Sequence, residues 1–178
     1  MSKHVVLTRD CDIEDYRETL RTSAEETQIR IAELAGNASP LEFLYQLKFD
    51  AVGCDPLDSS RQLNLIEQLN QSFTYLASFN GAEFLFSKHP RVESLRLNLG
   101  TRSGWDIESA DDGGVVAEVF AAVTPKNNDK LANDIEKVAR AKSRHRYVLF
   151  MSPGHKAGLY KAQPAPAGVV VWSLGCDL

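Results

Sequence analysis

The sequence predicts an α/β fold, a single domain in which helices pack on a mixed β-sheet, and three observations predict it. The hydrophobic pattern changes at Arg91 from helical spacing to alternating or continuous apolar runs. The elements follow in the order helices, three strands, helix, two strands, which suits layers of helix on sheet. The composition, 43% hydrophobic and 25% charged over 178 residues, is that of one ordinary folded domain. A helical extension is expected over residues 1–58 and an α/β core over residues 59–178.

The elements are predicted in order along the chain. His4 to Thr8 suits a short strand, and Ile13 to Leu34, rich in Glu and Arg and closed by Gly36, suits a helix. Ser39-Pro40-Leu41-Glu42 has the cap, first-position proline and capping-box partner of a helix start, and that helix should run to about Phe49. Gly53-Cys-Asp-Pro56 breaks it. Ser59 and Gln62 offer a second capping box, followed by Leu65, Ile66, Leu69, Phe73, Leu76, Ala77 and Phe84 at helical spacing as far as His89-Pro90. Strands are then predicted over Val92–Leu99, Gly104–Ser109 and Gly114–Val123. Asn127 or Asn128 is expected to cap a helix striped by Leu131, Ile135, Val138 and Ala139. Arg146–Met151 and Val169–Leu174 are the last strands, joined by a loop rich in Pro, Gly and Lys.

No apolar run approaches the roughly 18 residues of a membrane span, and the N-terminus lacks a signal-peptide pattern, so a cytoplasmic protein away from membranes is expected. Cys11, Cys54 and Cys176 are too few and scattered for a disulfide framework and form no C-x-x-C pair, which makes them reduced thiols. The net charge of −4 is unevenly spread. Residues 1–123 hold 11 Lys+Arg against 20 Asp+Glu, whereas residues 124–161 hold 9 against 3. A basic segment of this kind suits either a phosphate-facing surface or a solvated helix.

One residue demands a chemical explanation. Glu118 is the lone charge in Gly-Gly-Val-Val-Ala-Glu-Val-Phe-Ala-Ala-Val, and a carboxylate in a strand apolar on both faces must find a counter-charge, several donors or a metal ion, or take up a proton. A three-residue hairpin loop at Asp111-Asp112-Gly113 would put Asp106 opposite Glu118 on the same face, close enough for both carboxylates to hold one hard cation. A structural ion pair, with Arg96 for example, would also satisfy Glu118, and Asp106 could then be exposed at a strand end.

Asp106, a hairpin, Glu118-Val-Phe120 on a strand, an amphipathic helix and another strand together resemble the core of the PD-(D/E)XK nuclease superfamily, the restriction-endonuclease-like fold. The likeness covers roughly residues 60–150, counting the long helix. It implies that Asp106 and Glu118 bind magnesium, with manganese as a substitute, and that a lysine two positions after the Glu assists the attacking water. Here that position is Phe120, and Trp105 stands where the motif has Pro. Members of the superfamily relocate this lysine to neighbouring elements, which makes Lys126 and Lys130 candidates, with a solvated lysine the alternative reading of Lys130. The preceding helix lends a further acidic ligand in related folds, with Glu67 the better candidate and Glu83 the other.

Two functions follow from the resemblance. In one, the chain hydrolyses DNA with Mg2+ on Asp106, Glu118 and Glu67, catalytic work shared by Asp106, Glu118, Lys126 and Lys130, and the DNA backbone met by Lys130, Lys137, Arg140 and Arg144. In the other, it is a catalytically silent member of the fold that binds nucleic acid or a protein partner. A homodimer is compatible with either. Elsewhere no zinc-helix histidine spacing and no G-x-x-x-x-G-K-[ST] phosphate cradle occurs.

Overall fold

The structure is a computed structural model that describes residues 4–100, 103–110, 114–162 and 164–176. Its elements, in order, are β1 (His4–Thr8), α1 (Ile13–Asn37), α2 (Pro40–Phe49), β2 (Gly53–Asp55), β3 (Asp58–Leu63), α3 (Leu65–Lys88), β4 (Ser94–Asn98), β5 (Ile107–Ser109), β6 (Val115–Ala121), α4 (Lys130–Ala139), β7 (His145–Met151), β8 (Gly158–Leu159) and β9 (Val169–Ser173). The fold is α/β, as predicted. Contacts divide it into two compact units, one of Met1–Cys11 with Ala77–Leu178 and one of Asp12–Leu76. No helix among the described residues is long and apolar enough to cross a membrane.

In the Asp12–Leu76 unit, α1 begins on Asp12, whose side chain accepts the Glu14 N–H at 2.9 Å, and only Leu20, Ser23 and Thr27 of this helix are buried. Helix α2 starts on the predicted pair, with Glu42 accepting the Ser39 N–H at 3.4 Å and Pro40 in the first turn. The expected capping box at Ser59 and Gln62 is instead part of β3, which pairs with β2 as a hairpin. Asp55 explains the difference. It is 2% exposed and draws in the Arg61 guanidinium at 3.3 Å and the Tyr75 hydroxyl at 3.0 Å, tying the hairpin to α3. Helix α3 therefore starts at Leu65, behind a reciprocal Asn64 and Glu67 cap.

The other unit is built on a seven-stranded sheet of order β1-β4-β5-β6-β7-β9-β8. Strands β1, β4, β5 and β6 run antiparallel to their neighbours, β6, β7 and β9 run parallel, and β8 is an antiparallel edge. The parallel step from β6 to β7 requires a crossover, and α4 provides it. Side chains alternate along β6, so Val119 faces α3 while Phe120 faces α4. An ideal Cβ on Gly81 of α3 would stand 3.1 Å from Leu149 and 3.6 Å from Val119. On the other face Phe120, Val148, Phe150 and Val171 pack with Leu131, Ile135 and Val138 of α4. Coverage of both faces is why β6 is apolar apart from Glu118.

Two local devices hold these layers. The Arg9 guanidinium donates to the carbonyls of Phe86, His89 and Val92 at 3.1, 2.8 and 2.9 Å, so a cation closes the C-terminal end of α3. Before α4, Asn128 and Asp129 both take left-handed backbone, at φ 52° and 55°, a conformation that these two residue types tolerate. Asp129, rather than the predicted Asn127 or Asn128, occupies the cap position, and its side chain makes no capping bond.

The missing side chain at Gly81 sets how closely α3 approaches the sheet. Gly81→Leu is expected to destabilise the protein by about 2–3 kcal/mol through overpacking against Leu149 and Ile107, measured by urea unfolding. A variant of unchanged stability would show that this helix has room to move.

Candidate active site

The register of the β5–β6 hairpin brings the two carboxylates together. Ile107 pairs with Ala117 and Glu108 with Val116, which continues to Asp106 opposite Glu118. The expected loop at Asp111-Asp112-Gly113 lies outside the described residues. Strand β5 begins only at Ile107, and beyond it the Asp106 carboxylate takes over from the ladder by accepting the Val119 N–H at 2.8 Å. Asp106 is thus half-buried and held by backbone rather than exposed at a strand end.

Glu118 is 2% exposed, and its counter-charge comes from α4 rather than from Arg96, which pairs with Glu108 at 3.0 Å. Lys137 Nζ stands 2.7 Å from Glu118 Oε1 and donates to the Gly104 carbonyl at 2.8 Å. Its approach to Oε1 is off the hydrogen-bonding direction, so this buried oxygen has an ion-pair partner but no directed donor. The same ammonium lies 5.6 Å from the centre of the Trp105 ring. One turn back along the helix, Asp134, 4% exposed, accepts from Lys130 Nζ at 2.8 Å, and its other oxygen, Oδ2, also has no hydrogen-bond partner among the described residues.

Lys130, Asp134 and Lys137 form one polar stripe because positions i, i+4 and i+7 share a helix face. Each precedes by one residue the apolar stripe of Leu131, Ile135 and Val138, which faces the core. Packing that apolar stripe on the sheet swings the polar stripe over the sheet near its carboxylates. Phe120 occupies the face on which a strand lysine would have extended. Its ring stacks on Phe150 with centroids 5.9 Å apart, and Lys130 Nζ lies 5.8 Å from its centre.

The electrostatics follow from burial. Glu118 is pushed up to about 7, first by desolvation and then by the neighbouring Asp106 charge, against the pull of Lys137. Asp106 is raised by desolvation, against the Val119 N–H and the two lysines. Asp134 is raised by desolvation too, with Lys130 opposing. Lys130 loses solvation, but the bond to Asp134 and the charges of Asp134, Asp106 and Glu118 outweigh that loss and raise its pKa, so it stays an ammonium.

The other predicted residues have the following surroundings. Lys126 is exposed and makes no ion pair or hydrogen bond among the described residues. Glu67 lies in the Asp12–Leu76 unit, where its carboxylate accepts the Asn64 N–H at 3.3 Å. Glu83 is exposed on α3, which covers the other face of the sheet. Arg140 pairs with Glu136 on the surface, and Arg144 is exposed. Their neighbour Arg146, which starts the predicted fourth strand, donates to the Ala139 and Ala167 carbonyls at 3.0 and 2.9 Å. Sequence reasoning does not point to Asp134, and it points to Lys137 only as a DNA contact. Their i, i+4, i+7 spacing with Lys130, one residue out of step with the apolar stripe, was the available signal.

A carboxyl group that holds its proton more tightly folded than unfolded makes stability fall as pH rises between the two pKa values. The wild type is therefore expected to lose stability from about pH 4.5, the ordinary value, through about 7, and Glu118→Gln to lose less of it. Urea unfolding across this range tests the expectation, and parallel profiles for the two proteins would show that Glu118 does not carry the effect.

The site combines two buried carboxylates, a third acid and two ammonium groups on one face of a sheet, an arrangement suited to holding a hard cation or to balancing charge on a phosphoryl group. Compared with family models, curated proteins and solved structures, the chain matches none.

Proposed function

We propose that the chain is a metal-dependent nuclease of the PD-(D/E)XK, restriction-endonuclease-like superfamily, hydrolysing DNA phosphodiester bonds, with the lysine missing at Phe120 supplied by α4. The observation that carries this reading is the meeting of Asp106 and Glu118 with the Lys137 ammonium, 2.7 Å from Glu118, beside Lys130. The succession of α3, β4, the β5–β6 hairpin, α4 and β7 also supports it.

The donor set fits magnesium. Asp106 and Glu118 offer hard carboxylate oxygens, and Glu118 Oε1 is buried without a directed donor. Among the described residues no group of three or more His, Cys, Asp or Glu forms a metal cage, which is compatible with an ion that uses one or two carboxylates and the substrate phosphate. Magnesium bound there would supply Lewis acidity and a more acidic water. Lys137 balances negative charge growing on the phosphoryl oxygens, a task that phenylalanine cannot perform. Asp134 keeps the Lys130 ammonium aimed over the Phe120 ring. Arg140 and Arg144, exposed at and beyond the end of α4, meet the DNA backbone.

A second reading, a catalytically silent member of the fold that binds nucleic acid or a protein, is favoured by one observation. Lys137 already neutralises Glu118, as a purely structural ion pair would.

Metal binding separates the two. Millimolar manganese or magnesium is expected to raise the melting temperature of the wild type and to leave Asp106→Ala and Glu118→Ala unmoved. Metal-dependent DNA cleavage is expected to fall by about a hundredfold or more in Lys137→Met, with folding retained. A wild type indifferent to both metals and inactive on DNA would leave the silent reading. For the basic surface, replacing Arg140 and Arg144 by Gln should lower the salt dependence of DNA binding by about one unit of slope per lost contact. No DNA binding by the wild type at low salt would remove DNA as the ligand.

A further inference from the structure

Only one of the two oxygens of Asp134 has a partner. The residue is 4% exposed and its Oδ1 accepts from Lys130 Nζ at 2.8 Å, while Oδ2 is buried with no hydrogen-bond partner among the described residues. A carboxylate oxygen taken out of water without a donor is costly. Both ammonium groups of the α4 stripe are committed elsewhere, Lys130 to Oδ1 and Lys137 to Glu118 and the Gly104 carbonyl. The position of Asp134 is fixed by these same two lysines. Lys137, three residues on, touches Glu118, and Lys130, four residues back, stands over the Phe120 ring. Glu118 and Phe120 are two apart on β6 and share its face towards α4, so Asp134 lies above the strand between them. Desolvation and, after it, the charge of Asp106 raise both Glu118 and Asp134, which puts the three acids within electrostatic reach of one another. The side chains of Lys130 and Lys137 are each 45% exposed, so water reaches the outer side of the stripe.

We infer, resting on the magnesium site proposed above, that Asp134 is a positioning residue for the ion: its Oδ2 accepts a hydrogen bond from the hydration shell of magnesium at Asp106 and Glu118. Magnesium dehydrates reluctantly and keeps several waters when one or two carboxylates bind it, so its site needs acceptors for those waters as well as inner ligands. No group of three or more His, Cys, Asp or Glu among the described residues is close enough to form a cage, which keeps Asp134 out of the inner shell. An outer place suits it. Oδ2 gains the donor it lacks, and the water gains a charge-assisted bond that fixes its orientation. The Lys130 bond to Oδ1 holds the carboxylate and leaves Oδ2 as the available oxygen.

Manganese in place of magnesium tests this on the full chain without any turnover. Binding is followed by the paramagnetic resonance of free Mn2+, and the waters of the bound ion by water-proton relaxation. The wild type is expected to bind and Asp106→Ala to lose binding. Asp134→Asn leaves an amide oxygen for Lys130 but puts an N–H donor in place of Oδ2, and is expected to bind about tenfold or more weakly. Lys130→Met keeps Oδ2 and should bind no more weakly than wild type. Relaxation per bound ion should rise in Asp134→Asn, because a water released from Oδ2 exchanges faster. Circular dichroism and urea unfolding check the fold, and Asp134→Leu, which replaces the buried charge by an apolar group of similar volume, is a second variant with the same expected loss of affinity. The inference alone is overturned if binding is lost in Asp106→Ala yet unchanged in Asp134→Asn and Asp134→Leu. It is overturned too if Lys130→Met weakens binding as much as Asp134→Asn, which would leave Asp134 a role only through Lys130, or if relaxation per ion does not change, which would leave only its charge. A wild type that binds no manganese, or binds it equally well as Asp106→Ala, would remove the metal site itself and this role with it.

Discussion

A carboxylate buried in the centre of a sheet is the constraint around which the larger unit is organised. Glu118 sits on β6 with both faces covered, and desolvation of its charge is costly enough to require compensation from whatever packs above it. Helix α4 provides that compensation through Lys137, and its apolar residues one position along provide the packing. One helix therefore does two jobs with two stripes. The arrangement works because the stripes are one residue out of step, so burying Leu131, Ile135 and Val138 necessarily carries Lys130, Asp134 and Lys137 to the edge of the buried face.

The charge balance at this edge is incomplete by design of the strand register. Asp106 is drawn in because β5 is short: where the ladder stops, a side-chain oxygen accepts the Val119 N–H in its place. That bond brings a second negative charge beside Glu118, and the site holds three poorly solvated acids under two lysines whose side chains are 45% exposed. Carboxyl groups in this condition hold their protons more tightly than solvated ones. Phe120 contributes by exclusion, since its ring, stacked on Phe150, takes the space a strand lysine would need, so the ammonium groups approach from the helix.

The smaller unit answers a different problem. Its polar interior, with Asp55, Ser23, Thr27 and Gln68 all buried, is held by specific pairings such as Gln68 to Ser23 at 3.0 Å. Gly53 is required there, since a Cβ would fall 2.5 Å from Thr27 Oγ1. Leu20, Val52, Leu63 and Tyr75 are buried among these polar groups, while Leu41, Leu44, Tyr45 and Phe49 of α2 are exposed.

The sequence by itself determined the helices and strands whose period is strong, and the end points of α2 down to its capping pair, because these depend on local backbone chemistry and on side-chain spacing along a few turns. It also determined that Glu118 needed a partner, since a lone charge in an apolar strand is anomalous wherever the strand lies, and it marked Asp106 because antiparallel register follows from the hairpin. Tertiary structure alone decided the rest. The β2–β3 hairpin replaced a predicted helix start because a buried Asp55 gathers Arg61 and Tyr75 from elsewhere in the chain. Whether Arg96 or Lys137 met Glu118 depended on which element lay over the strand, and Lys130, though exposed, is paired with Asp134. Pairing across a sheet face is set by the packing of α4, a three-dimensional fact to which spacing along the chain contributes only the list of residues able to take part.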